Sequence, residues 1–250
     1  MSRAVRPRPT PVRFPRFLHV MTLRPLVVVA LALALPAIAG AQVGHEPHKS
    51  PYRDLEHRQG VTLFGGQFRP RVDPARVAPE GGPMLGAHYE FRMAGPAYFT
   101  ATSTLVLSER NVIDPNKLIA ERLLGRQSVT MLLTDVGFSI NLTGYKSWRG
   151  IVPALGAGLG LGAGFDAPDV GNFKYGYPFL LTLRPSIKLA PRGRWQGRLD
   201  ATNYLYRIRY PDSYFTKTTA DPTVLDPSSG RNVWTRNLSI TAGLTYAFGR

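Results

Sequence analysis

Residues 237–248 read Asn-Leu-Ser-Ile-Thr-Ala-Gly-Leu-Thr-Tyr-Ala-Phe, so an apolar side chain occupies every even-numbered position. The odd-numbered positions carry Asn237, Ser239, Thr241, Gly243 and Thr245, which are polar or small. Successive side chains of a β-strand point to opposite faces of the sheet. The segment therefore predicts a strand with one apolar face and one polar face.

The same alternation recurs along the chain, with differing clarity. Seven further segments show it, at 61–68, 85–93, 97–108, 130–143, 151–165, 177–190 and 195–210. Many of these segments have about ten residues or more, whereas a strand of a soluble protein averages about five or six. A tilted strand that crosses a membrane needs about 9–11 residues. The lengths therefore favour a membrane barrel of eight strands.

The connections between these segments alternate strictly between short and long. The short ones are 94–96, 144–150 and 191–194, and the long ones are 69–83, 109–128, 166–176 and 211–236. Short periplasmic turns and longer extracellular loops are typical of barrels in bacterial outer membranes. We therefore predict an all-β fold for residues 60–250: an eight-stranded antiparallel up-and-down transmembrane β-barrel with short periplasmic turns and long extracellular loops.

Aromatic residues cluster near the predicted strand ends. Two girdles of aromatic side chains, one at each membrane interface, are expected of such a barrel. The periplasmic girdle would contain Tyr98, Phe99, Tyr145, Trp148, Trp195, Tyr246 and Phe248. The outer girdle would contain Phe165, Tyr175, Tyr177, Tyr206, Tyr210 and Trp234.

The chain has an apolar N-terminal leader at 1–41, eight alternating segments and an aromatic residue close to the C-terminus. In these features it resembles the small outer-membrane β-barrels of the OmpA and OmpX type. The resemblance covers most of residues 60–250 and is one of architecture. It implies the lipids of a bacterial outer membrane as surroundings and the barrel-assembly machinery as a partner. That machinery recognises a terminal aromatic residue, and here Gly249 and Arg250 follow Phe248. A monomer is favoured, although the sequence leaves the oligomeric state open.

The first 41 residues have the pattern of a secretory signal peptide. Arginines precede an apolar run from Leu26, and small residues follow it at two candidate cleavage sites, after Ala39 or after Ala41. Met21 also opens a compact signal, so either Met1 or Met21 can be the start. The apolar run is shorter than the roughly 20 residues of a membrane-spanning helix. We predict cleavage after Ala41 and a flexible, polar segment at 42–59.

The charge of the chain depends on this leader. It contains six arginines and no acidic residue, so the formal charge falls from +15 to +9 without it. The remaining basic residues are scattered and form no stripe of the kind that binds phosphates of nucleic acid. Nucleic acid is therefore excluded as a partner, and cations facing lipopolysaccharide phosphates outside the cell fit the distribution better. The chain has no cysteine, which excludes disulfides and thiolate metal sites.

The polar face of the predicted barrel points inward and carries charges. The candidate lumen residues are Glu90, Arg92, Asp135, Arg184, Lys188, Arg198 and Asp200. Because eight strands leave an interior just wide enough for side chains, we expect these charges to form a salt-bridged plug. A narrow gated ion path is the alternative. Five inward glycines at 156–164 leave space, either for long side chains such as Arg184 and Arg198 or for water.

Other motifs give weaker indications. The glycine run at 156–164 lacks the G-x-G-x-x-G spacing of a nucleotide loop. His45, His48 and His57 lie near acidic residues, but their spacing is loose for a metal site. His88 and Glu90 share a strand face, and a hydrogen-bond network in the lumen explains them better than catalysis. The segment 114–124 begins with Asp114 and Pro115, as an N-capped helix does.

These observations predict a protein without catalytic residues, cofactor or metal. The leading hypothesis is an exported outer-membrane barrel with a structural or surface-interaction role, exercised through its long loops. The alternatives are a small channel, a lipid-modifying enzyme, and a soluble periplasmic barrel that binds a small ligand. The outward direction of Leu238, Ile240 and Leu244 would distinguish a membrane barrel from the soluble one.

Overall fold

The computed structural model describes residues 50–190, 193–216, 223–228 and 230–249. The predicted signal peptide at 1–41, with its start and cleavage sites, lies outside these residues, as does the segment 42–49. Among the described residues, no helix has the length and apolar character that crossing a membrane requires. The strands are β1 (Tyr52–Asp54), β2 (Gln59–Pro70), β3 (Gly82–Ala94), β4 (Ala97–Ile113), β5 (Leu123–Asn141), β6 (Lys146–Trp148), β7 (Ile151–Gly164), β8 (Phe179–Leu189), β9 (Trp195–Arg209) and β10 (Asn232–Phe248).

Eight of these strands form a closed antiparallel ring. The order is β2-β3-β4-β5-β7-β8-β9-β10, and β10 pairs with β2 to complete it. The closing ladder runs from Asn237 opposite Pro70 to Phe248 opposite Gln59. β1 and β6 pair with each other outside this ring. The predicted eight-stranded antiparallel barrel is therefore confirmed.

The alternating pattern sets the two faces as expected. Leu238, Ile240 and Leu244 point outward and are 41%, 51% and 54% exposed, whereas Ser239 and Thr241 between them are buried inside the barrel. Exposed leucine, isoleucine and phenylalanine side chains continue around the ring on the other strands. An apolar surface of this extent needs an apolar solvent, so the fold is that of a transmembrane barrel.

The two ends of the barrel differ in the length of their connections. At one end β3 turns into β4 through Gly95 and Pro96, with Gly95 at φ +50°, a conformation that glycine adopts without strain. The connections β5–β7 and β8–β9 lie at this same short-turn end. The other four connections form the long-loop end. The predicted asymmetry is thus present in the structure.

Three of the four long loops are shorter than the sequence suggested, and the one between β2 and β3 spans 71–81 instead of 69–83. β4 and β5 have 17 and 19 residues and stay paired as far as Ile113 opposite Leu123. Most of the predicted loop 109–128 is therefore an extended hairpin. β10 likewise begins at Asn232, inside the predicted loop 211–236, because Asn232 pairs with Arg209. Alternating hydrophobicity fades beyond the membrane, so it did not signal these strand ends.

The helix predicted at 114–124 is wrong. Only one turn of 3-10 helix occurs there, at Ile119–Glu121. The side chain of Asp114 accepts a hydrogen bond from the backbone N–H of Asn116 at 3.0 Å, which is an Asx-turn. The Asp114 N–H donates to the Arg122 carbonyl at 2.8 Å and closes the loop between two paired strands. Nine residues held in this way leave no room for a helix.

The segment 50–58 has more structure than the expected flexible tail. β1 pairs with β6, and the Arg58 N–H donates to the Gly249 carbonyl at 2.9 Å. The Leu55 N–H donates to the Tyr145 carbonyl, also at 2.9 Å. These backbone bonds fix the segment against the short-turn end, and their partners are too distant in sequence for local patterns to reveal.

Ile240 tests the membrane placement because it lies outward at the middle of β10. We expect Ile240→Arg to lower the free energy of unfolding in phospholipid vesicles by about 2 to 4 kcal/mol, since it places a charge near the bilayer midplane. Leu118→Arg, in an exposed loop, serves as the control and should have little effect. Equal effects of the two substitutions would contradict a lipid-facing position for Ile240.

Candidate functional site

The candidate site is the barrel lumen, where six of the seven predicted charges lie buried in two groups. The first group joins Asp135 on β5 with Arg184 on β8. The Arg184 Nη2 atom lies 3.1 Å from Asp135 Oδ1 and 2.9 Å from Oδ2. Thr182 donates to Asp135 at 3.3 Å, and Arg184 Nε donates to Thr202 at 3.1 Å. Both members of this ion pair are therefore hydrogen-bonded on more than one side.

The second group lies nearer the short-turn end and is centred on Glu90 of β3. Lys188 Nζ lies 2.8 Å from Glu90 Oε2, and Arg198 Nη1 lies 2.7 Å from the same oxygen. Arg198 Nε lies 2.9 Å from Asp200 Oδ2. The Lys188 ammonium also lies 4.4 Å from the centre of the Tyr98 ring, within cation–π range.

The charges in the two groups balance. Three carboxylates face three cations, so no net charge is left in the low-dielectric interior. Burying a charge without a partner is costly, whereas a well hydrogen-bonded pair largely compensates its own desolvation. The arrangement is thus one that a closed lumen tolerates.

Arg92 lies apart from these two groups of charges. Its Nη1 atom donates to the backbone carbonyl of Leu55 at 3.1 Å instead of pairing with a lumen carboxylate. The ladder between β3 and β4 shifts register between Arg92 and Ala94, near the short-turn end. At this end the segment 55–58 hydrogen-bonds to the backbone of Tyr145 and Gly249. The bond from Arg92 holds the same segment against β3.

The glycines of β7 make room for neighbouring side chains. A Cβ atom at Gly158 would lie 2.8 Å from the Thr182 hydroxyl and 3.0 Å from Asp135 Oδ1. A Cβ atom at Gly164 would lie 2.7 Å from the ring of Tyr175. The space predicted beside these glycines is therefore occupied by Asp135, Thr182 and a tyrosine from the loop between β7 and β8.

His88 lies inside the lumen, as predicted. Its Nδ1 atom is 2.9 Å from the Thr102 hydroxyl, and its Nε2 atom is 3.8 Å from Glu90 Oε2. The ring is buried on the inward face of β3. Its contacts belong to the polar network of the lumen.

The half of the lumen nearer the long loops contains apolar and aromatic side chains, which the sequence did not indicate. Met131 and Leu133 of β5 and Tyr204 and Tyr206 of β9 are fully or almost fully buried there. They share the inward face with polar residues further along the same strands. Because the apolar outward face has the same residue types, composition alone could not separate this filling from the lipid-facing surface.

The long loops pack together over this apolar half around the buried Arg110. Its guanidinium donates to Asp166 at 3.0 Å and to Asp169 at 2.9 Å, both in the loop between β7 and β8. It also donates to Gln127 of β5 and to the carbonyls of Ala167 and Phe173. The loop is therefore fixed to the β4–β5 hairpin. Sequence reasoning missed this group because Arg110 and its partners in the loop between β7 and β8 lie more than 50 residues apart in the chain.

A cluster of three aromatic rings links the remaining loops. Phe173 stacks on Tyr210 and Tyr214 with ring centres 6.0 Å and 6.3 Å apart. The Tyr210 hydroxyl donates to Asp73 at 2.7 Å, and Asp73 also accepts the Ala78 N–H at 3.0 Å. Burial and the nearby Asp73 carboxylate raise the pKa of Tyr210, so its hydroxyl stays protonated and donates. The loops that follow β2, β7 and β9 thus contribute Asp73, Phe173 and the two tyrosines, respectively, to this group.

The predicted aromatic girdles are only partly correct. Phe165, Tyr177 and Trp234 are exposed at the long-loop end, and Tyr145, Trp148, Trp195 and Tyr246 are exposed at the short-turn end. Tyr98, Tyr175, Tyr206 and Tyr210 are instead buried inside. Tyr98 and Tyr206 occupy inward positions of their strands, and the other two turn in from loops. Proximity to a strand end therefore did not determine whether an aromatic side chain points outward or into the barrel.

Cavities inside the lumen are small. One of about 10 Å³ is lined by His88, Arg184 and Tyr204 among others, and one of about 20 Å³ lies beside Glu90 and Lys188. A cavity needs about 10 to 15 Å³ to hold one water molecule. Each of these spaces therefore has room for about one water.

No protein-family model matches the chain, and no curated protein matches it. Among solved structures, the outer membrane protein OprG from Pseudomonas aeruginosa is 12% identical, with a TM-score of 0.48 over 78% of this chain and 98% of that one. Neisserial surface protein A is 12% identical, with a TM-score of 0.44 over 76% and 97%. Ail of Yersinia pestis is 10% identical, with a TM-score of 0.36 over 77% and 100%.

The fold and the outward apolar surface define the class as a small membrane-spanning β-barrel. The closed ring of eight antiparallel strands agrees with the OmpA and OmpX type of architecture that the sequence resembles. At this level the resemblance is confirmed.

The ion pair between Asp135 and Arg184 provides a test of the lumen network. We expect Arg184→Met to lower the free energy of unfolding by about 3 kcal/mol, because it leaves Asp135 buried without a cation. The double variant with Asp135→Leu should lose less than the sum of the two single losses. Additive losses in vesicle unfolding experiments would show that the two side chains are not coupled.

Arg110 provides a test of the loop packing. We expect Arg110→Met to speed hydrogen exchange at the amides of Phe173 and Tyr175, which donate to Asp169 and Asp166. Arg126→Gln is the matched control, because Arg126 is exposed and its carboxylate partners lie 3.8 and 3.9 Å away. Unchanged exchange in Arg110→Met would contradict an anchoring role.

Proposed function

We propose that the protein is a non-conducting barrel of the bacterial outer membrane, with a structural and surface-interaction role. The single observation that supports the proposal is the burial of inward side chains in both halves of the barrel. Paired charges occupy the half near the short turns, and apolar and aromatic side chains occupy the other half. The two cavities that lie beside these side chains have volumes of about 20 and 10 Å³, room for about one water molecule each.

The proposed orientation places the short turns in the periplasm and the long loops outside the cell. Loop length supports it, since extracellular loops are the longer ones in such barrels. The β4–β5 hairpin supports a surface role. At about 3.3 Å per residue, strands of 17 and 19 residues exceed what a bilayer requires and extend beyond it.

The tip of this hairpin has an apolar, accessible surface. Leu118, Ile119, Leu123 and Leu124 are exposed there, outside the proposed membrane region. Binding functions concentrate on loops that a rigid scaffold positions. The tip is therefore the part of the surface through which we expect contacts with other molecules.

Planar-bilayer recording tests the closed lumen. We expect the wild-type protein to show no conductance steps, and Arg184→Ala/Tyr204→Ala to leak, because both residues line the same small cavity. Leu238→Ala/Leu244→Ala, which removes outward side chains, is the control and should stay closed. Heat-modifiable gel migration establishes that each variant is folded. Discrete steps from the wild type would overturn the proposal in favour of a narrow channel.

A further inference from the structure

The outer surface at the long-loop end contains a groove with three cations. It has a volume of about 410 Å³ and lies between the loop 165–178 and the end of β9. Lys174, Arg207 and Arg209 line it, together with Asn172, Tyr177 and Tyr210. The described residues that line this groove include no carboxylate. The volume falls within the range of small-molecule sites.

The fold holds these cations outward. Lys174 lies between Phe173 and Tyr175, which are both buried, so the alternation turns its side chain to the exterior. Arg207 and Arg209 flank the buried Ile208 on β9 in the same way. The bonds from Arg110 to Asp166 and Asp169 fix the loop that carries Lys174. The cations therefore lie on an ordered framework.

Within the part of the chain that the structure describes, Lys174, Arg207 and Arg209 form no ion pair with a carboxylate. Asp212, which follows the lining residue Pro211, lies 2.8 Å from Arg231 and is paired with it. Positive charge also continues along the wall. Arg236 of β10 is exposed two residues beyond Trp234, and Arg69 of β2 pairs in the ladder with Leu238. Arginine presents a planar fork of donors that matches phosphate oxygens.

The position of the groove indicates which kind of anion it receives. Arg207 pairs in the ladder with Trp234, which is 56% exposed, and Tyr177 in the groove is 79% exposed. Exposed aromatic residues of this kind sit at membrane interfaces. Below them the outward leucines of β8, Leu181 and Leu183, form an apolar wall. The groove thus lies where a headgroup meets the acyl chains.

We infer that this groove binds the phosphorylated headgroup of a lipid in the outer leaflet, such as a phosphorylated glycolipid, whose acyl chains lie along β8 and β9. The inference rests on the membrane orientation proposed above. Lys174, Arg207 and Arg209 contact the phosphate groups, and the exposed aromatic side chains pack against the sugar and the upper acyl chains. An acidic polypeptide or nucleic acid would not use the apolar wall.

Native mass spectrometry of the folded protein in detergent tests this site. The probes are lipid A with two phosphates, lipid A without phosphate, and inorganic phosphate. We expect Lys174→Gln/Arg207→Gln/Arg209→Gln to weaken binding of the bisphosphorylated lipid by about tenfold or more, since each cation near a membrane surface contributes to anionic lipid affinity. Binding should also weaken as the ionic strength rises.

The control variant Lys117→Gln/Arg126→Gln/Arg149→Gln removes the same charge from exposed positions that do not line the groove, and it should bind as the wild type does. Equal weakening in both variants would overturn the site, because it would indicate only a general effect of net charge. Equal binding of the lipid without phosphate, or full competition by inorganic phosphate, would also overturn it. Lipid binding does not depend on whether the lumen is closed. A failure of the lipid-binding proposal is therefore distinguishable from a failure of the proposed non-conducting barrel, which conductance by the wild type would reveal.

Discussion

A strand in lipid needs a hydrogen-bonded neighbour on each side, because hydrocarbon cannot satisfy exposed backbone groups. The ladder between β2 and β10 meets this requirement by joining the two ends of the sheet over twelve residue pairs. Once the ring closes, each strand has one face toward lipid and one toward a lumen of fixed width. The inward polar residues and the outward leucines follow from this closure.

The narrow lumen then determines which side chains the inward face accepts. Near the short turns the face carries Glu90, Asp135 and Asp200 with three basic partners, so that no buried charge is left unpaired. The glycines of β7 let Asp135 and Thr182 approach that wall closely. Nearer the long loops the inward positions are taken by residues such as Met131 and Tyr204, which fill the space without adding charge. The small residues of the strands and the large inward side chains that pack against them are therefore complementary in size.

The long loops likewise bury a charged side chain together with its hydrogen-bond partners. The buried guanidinium of Arg110 is hydrogen-bonded by carboxylates and carbonyls of one loop, which take the place of water. Phe173, Tyr210 and Tyr214 stack on one another at the same end of the barrel. This packing holds Lys174 and its neighbours on the exterior. The exposed surface at the long-loop end thus depends on a core built from segments distant in sequence.

The sequence by itself determined the number of barrel strands and which face of each strand points outward, because alternation is a local property of the chain. It also determined which connections are long, because loop length is local as well. It also indicated Glu90, Asp135, Arg184, Lys188, Arg198 and Asp200, since inward parity is local too. Only the tertiary structure decided that Arg92 bonds to Leu55, that Tyr98 and Tyr206 point inward, and that Arg110 anchors a loop. These outcomes depend on which strands become neighbours and how far the hairpins extend, and closure of the ring in three dimensions sets both.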